Sequence, residues 1–90
     1  MIDSSLPGAE LVETGLDDLA NNVVSIESLL VSMTSRRLQE LGHHVPAPIA
    51  DAELRLYQLL AAQYGDAAHG RYNALVRRLS SYQRAAACAR

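Results

Sequence analysis

The sequence has no phenylalanine, no tryptophan and no lysine, and its single cysteine, Cys88, lies near the C-terminal end. One thiol cannot staple a small fold, so a reducing, cytoplasmic setting is the simplest expectation. Long hydrophobic runs are missing too. The longest, Val23 to Met33, is interrupted by Ser25, Glu27, Ser28 and Ser32, and nothing approaches the ~20 apolar residues that cross a bilayer. The start, Met1-Ile2-Asp3-Ser4-Ser5, carries neither a basic flank nor an apolar stretch, so it does not read as a secretory signal, and no membrane partner is expected. A Gly-rich phosphate loop, a paired-carboxylate site and a G-x-S-x-G elbow are likewise absent. No enzyme activity and no cofactor are therefore expected.

What is present is a helical vocabulary. Leu and Ala supply 14 residues each of the 90, and four tyrosines are the only aromatics. An apolar fraction of 49% excludes global disorder, and the length fits one domain spanning residues 1–90. The net charge of −2 argues against a general binder of nucleic acid or membranes. That value conceals an asymmetry. Residues 1–35 hold Asp3, Glu10, Glu13, Asp17, Asp18 and Glu27 with no base, whereas residues 67–90 hold Arg71, Arg77, Arg78, Arg84 and Arg90 with no acid.

Periodicity predicts an all-α chain of three helices. Leu16, Leu19, Val23, Ile26, Leu30 and Met33 recur at alternating spacings of three and four, with Val24, Val31 and Leu38 in a parallel row. Thr14-Gly15-Leu16-Asp17 resembles a capping box and Leu41-Gly42 a stop, which places helix 1 at about 15–41. Residues 1–13 are expected to be a partly ordered lead-in, with Glu10, Leu11 and Val12 able to add a turn. Two prolines, Pro46 and Pro48, force a non-helical link. Asp51 is the expected cap of helix 2, at about 52–64, and Gly65-Asp66 the turn into helix 3, at about 67–88. The last helix has its own seam of Ala68, Tyr72, Leu75, Leu79, Tyr82 and Ala86.

A first helix of this length, roughly 40 Å at 1.5 Å per residue, outruns its companions. Its first half would expose Leu16, Leu19, Val23, Val24 and Ile26, and the overhang of helix 3 would expose Tyr82 and Ala86. These seven residues are the candidate interface of a homodimer built as a helical bundle, with the basic end of one chain near the acidic start of the other. A monomer in which the N-terminal segment folds back, or helix 1 bends, to cover the exposed row is the alternative.

Other candidate sites are weaker. His43, His44 and His69 lie too far apart along the chain to supply the four ligands of structural zinc, so no metal is expected. Cys88 has no acid–base partner near it in sequence. Ser25, Ser28, Ser32 and Ser35 read as a small polar face permitting close helix approach. Tyr57, Tyr64, Tyr72 and Tyr82 fall on or beside apolar seams and are expected to pack, with their hydroxyls at the rim. The most plausible role is a small protein–protein interaction module, whether adaptor, regulatory subunit or small chaperone, with an apolar groove for a partner helix. The alternative is a nucleic-acid-associated regulator contacting polyanions through Arg36, Arg37, Arg71, Arg77, Arg78 and Arg84.

Overall fold

A computed structural model of the chain describes residues 6–88. Among them are five α-helices and no strand: α1 Ala9–Ala20, α2 Ile26–Met33, α3 Ser35–Glu40, α4 Ala52–Tyr64 and α5 Ala68–Cys88. A 3-10 turn, Gly65–Ala67, joins the last two. The all-α class and the two later helices stand as expected from periodicity. The single helix over 15–41 does not.

That segment is broken after Ala20, and the break is a built C-terminal cap. Asn22 adopts the left-handed conformation at φ 58°. Its N–H donates to the Leu19 carbonyl at 3.1 Å, while the N–H of Val23 donates to the Asp18 carbonyl at 2.7 Å. This is the Schellman arrangement, with asparagine where glycine is commoner. Leu41-Gly42 closes α3 in the same way: Gly42, at φ 98°, donates to Gln39 and His43 donates to Leu38, both at 3.0 Å.

The chain restarts at Ser25. Its hydroxyl oxygen accepts from the Ser28 N–H at 3.0 Å, and its own N–H donates to Ser28 Oγ at 2.7 Å. The reciprocal pair is a capping box for α2, whereas Thr14 to Asp17, read as one, lie inside α1. Ser25 Oγ also donates to Asp18 Oδ2 at 2.6 Å, tying the cap back to the last turn of α1. Ser25→Ala removes both connections and is expected to cost about 1–2 kcal/mol, seen as a lower urea midpoint with an unchanged slope.

With the link at 21–25, α1 folds back onto α2, and this is the most extensive helix pairing in the chain. Gly15 makes it possible, since a Cβ there would lie 2.5 Å from the Glu27 carbonyl oxygen. The core then lies among α1, α2, α4 and α5, with Val12, Leu30, Leu56, Leu60 and Tyr82 fully or almost fully buried. Residues 9–13, expected as a lead-in, are the opening turns of α1 and bury Leu11 and Val12; residues 1–5 lie outside the described part.

The length mismatch that pointed to a second copy disappears. The longest helix is α5, with 21 residues, or ~31 Å, inside a fold whose long dimension is 38 Å. Leu19 and Tyr82 are buried, and Leu16, Ile26 and Ala86 pack against the core within the same chain. Of the seven candidate interface residues only Val23 and Val24, at 45% and 52% exposure, face outward, because they sit in the turn rather than on a helix. The attraction expected between two copies is also met internally. Glu10 of α1 forms an ion pair with Arg78 of α5.

Candidate functional site

A concavity lies where α4 begins. The 41–51 link is anchored by Ser32, whose hydroxyl donates to the Ser28 carbonyl at 2.8 Å and accepts from the Ile49 N–H at 3.0 Å. Ile49 is thereby held beside Met33 and Ala52, and the three form an apolar floor. The first turns of α4 contribute Asp51, Glu53, Leu54 and Tyr57, and α5 contributes His69 and Tyr72. The resulting open groove has a volume of about 750 Å³.

Its rim combines exposed apolar and aromatic surface with carboxylates. Leu54 is 60% exposed and Tyr57 39%. Leu54 lies off the Ala52–Leu56–Leu60 seam that faces the core, so α4 presents it outward. The Tyr57 and Tyr72 rings stand 5.6 Å apart at 58°. His69 is held between Tyr57 Oη, 3.4 Å from Nδ1, and Asn73 Nδ2, 3.2 Å from Nε2. The Tyr72 hydroxyl is hydrogen-bonded to Glu53; burial, then the Glu53 charge, push its pKa upward, so it remains a phenol. Asp51 does occupy the cap position of α4, as its sequence context suggested. Yet it does so in the left-handed conformation, φ 54°, and its side chain makes no capping hydrogen bond. Asp51 is instead one of the residues that line the groove.

Sequence reasoning assigned Tyr57 and Tyr72 to packing seams and did not single out Asp51, Glu53, Leu54 or Ile49 as a site. The available signal was Leu54, a large aliphatic residue off the buried stripe. Ile49, Asp51, Glu53 and Tyr57 neighbour it in sequence, but Ser32, Met33, His69 and Tyr72 come from other segments, and no local spacing announces that meeting.

The arginines are dispersed. The Arg71 guanidinium lies 4.6 Å from the centre of the Tyr64 ring, and Arg78 holds Glu10. Those two share a smaller cavity of about 260 Å³ that Glu27 also lines. A hydrogen bond from the backbone is the largest influence on Glu10 and lowers its pKa; desolvation opposes it, and the hydrogen bond and charge of Arg78 lower it further. Arg77 donates from Nε to the Asn73 carbonyl at 3.4 Å. Arg84 is exposed on α5, and Arg36 and Arg37 are exposed on α3. Two of the six candidates for polyanion contact are thus engaged with side chains of their own chain.

The close approach of α1 and α2 is made at Gly15, while Ser25 and Ser28 act as caps and Ser32 as a bridge. Cys88 is exposed. Among the described residues no three His, Cys, Asp or Glu side chains gather as a metal site. No helix there is long and apolar enough to cross a membrane.

His43 has a structural partner. Its Nε2 lies 2.7 Å from the hydroxyl of Tyr82, and burial lowers its pKa from the ordinary value of 6.5. Above that value His43 is neutral in both folded and unfolded chains. As the pH falls through it, the unfolded chain takes up a proton first, so this contribution to stability is lost toward acid. The expected result is a pH-dependent fall in melting temperature between about pH 7 and pH 5 that is smaller in His43→Asn. Equal slopes for the two proteins would remove His43 as the source.

A scan against protein-family models, a search of curated proteins and a search of solved structures each find no match to this chain.

Proposed function

We propose that the protein is a small helical interaction module, acting in the cytoplasm, that docks a segment of another protein in the groove between the 41–51 link, α4 and α5. The observation carrying this reading is the exposure of Leu54 and Tyr57 on the rim of a cavity of about 750 Å³. Large apolar side chains that gather around a concavity, rather than scatter singly, are what a docking surface requires. The five buried or half-buried members of the expected dimer interface serve the intramolecular core. A homodimer therefore retains only Val23 and Val24 as support, and the docking reading does not need one. Polyanion binding is less favoured because Arg71 and Arg78 are committed to Tyr64 and Glu10.

Site-specific photocrosslinking tests the reading. A photoreactive residue at position 54 is expected to give a discrete adduct in the host cell. The same residue at position 63, exposed and nine residues on, points to the opposite side of α4 at about 100° per residue and should give none. Leu54→Asp is expected to leave the melting temperature within the change that about 0.5 kcal/mol produces, as befits an exposed site. In a background crosslinked through position 57 it should abolish the adduct. Adducts common to positions 54 and 63, or none from either, would refute docking at this face.

A further inference from the structure

The chemistry of the groove narrows its occupant. Resting on the docking reading, we infer that it binds an amphipathic helix of another protein whose aliphatic face is flanked by arginine or lysine.

Three observations converge on this. The first is charge. The ionisable groups lining the groove include the acids Asp51 and Glu53 together with His69, and no arginine among the described residues lines it; the smaller cavity on α5 has two. Asp51 is not consumed by its helix terminus, since its side chain leaves the cap unmade. A partner carboxylate in the groove would face two others, whereas a guanidinium would meet both.

The second is the pair of aromatic faces. Tyr57 and Tyr72, tilted at 58°, line the same groove as Asp51 and Glu53, and aromatic faces near acids favour a cation over a neutral group. The chain already uses this chemistry once, in the stacking of Arg71 on Tyr64.

The third concerns the shape of the occupant. An extended segment that docks by strand addition needs a sheet edge, and the described residues contain no strand. The Ile49 N–H, a backbone donor at the floor, is already taken by Ser32. An occupant that satisfies its own backbone hydrogen bonds suits such a surface, and a helix does so. Ile49, Met33, Ala52 and Leu54 offer it an aliphatic bed, with methionine able to adapt its shape.

The test uses the full chain, labelled with 15N, and two synthetic helical peptides of about 16 residues, long enough for four turns. Both carry leucine at positions i, i+3, i+4 and i+7; one has arginine and the other glutamate at the flanks. The arginine peptide is expected to shift amide signals of residues 49–57 and 69–73, and to bind about tenfold more tightly than the glutamate peptide. The Asp51→Asn, Glu53→Gln double variant should remove most of that difference, as should raising salt from about 50 to about 500 mM. Equal binding of both peptides in the groove would overturn the charge assignment and leave the docking reading standing. Failure of both to shift groove residues would overturn the two together. Concentration-dependent dimerisation abolished by Leu54→Asp would make the occupant a second copy and refute a heterologous helix.

Discussion

Replacing Gly15 with alanine is expected to lower the unfolding free energy by about 2 kcal/mol or more, although alanine is the better helix former. At an unobstructed helical position the exchange would stabilise by up to about 1 kcal/mol. Gly15, however, sits where α1 crosses α2. An added Cβ would lie 2.5 Å from the Glu27 carbonyl oxygen and 2.7 Å from Val31 Cγ1. The first neighbour is backbone and cannot rotate away, so relief requires the two helices to separate by roughly an ångström, with loss of dispersion along the whole contact. Overpacking of this kind costs ~1–3 kcal/mol and occasionally more. In a domain of this size, 2 kcal/mol corresponds to a fall in melting temperature of about 10 °C. The opposite sign, a rise, would mean that α1 does not fold back on α2.

The fold-back is also the point at which the sequence was most misleading, for a physical reason. Helical periodicity measures the phase of apolar residues, not the continuity of backbone hydrogen bonds. Leu16 and Leu19 on α1 face the same core as Ile26, Leu30 and Met33 on α2. The link at 21–25 has a length that keeps the spacing of three and four intact, with Val23 supplying the missing beat from an exposed turn. The contrary signals were local and weaker: two asparagines, a pair of valines poor in helix propensity, and a serine that caps. Where stop signals were strong, at Gly42 and before Ala52, the boundaries were legible.

The charge asymmetry was legible as well, but its geometry was not. An acidic first third and a basic last quarter predict attraction without saying whether it lies within one chain or between two. Glu10 and Arg78 meet because α1 and α5 share one core. The groove was the least legible feature of all. Its floor and rim come from α2, the link, α4 and α5, and only the tertiary arrangement brings Asp51, Tyr57 and Tyr72 together.

Tyr82 provides the other large expected effect, and it separates the two ways of covering the apolar surface. Its side chain is only 1% exposed, near the end of a helix that would have overhung in the three-helix arrangement. In the folded chain the ring packs in the core, with its centre 5.9 Å from that of His43, and its hydroxyl lies 2.7 Å from Nε2 of the same residue. Tyr82→Ala is expected to cost about 3–5 kcal/mol, the range for truncating a buried aromatic side chain. Tyr82→Phe, which keeps the ring and removes the hydroxyl, is expected to cost about 1–3 kcal/mol because the imidazole nitrogen loses its buried partner. The total stability of a chain this short is about 5–13 kcal/mol, so the alanine variant removes a large share of it. Concentration decides the origin of the loss. A residue buried by a second copy would leave a melting temperature that rises with protein concentration in the wild type and flattens in the variant. A residue buried by its own chain lowers the melting temperature without introducing any such dependence. The alanine variant should also show a smaller decline in stability between about pH 7 and pH 5, since removing the ring opens His43 to water and relieves the burial that disfavours its charged form.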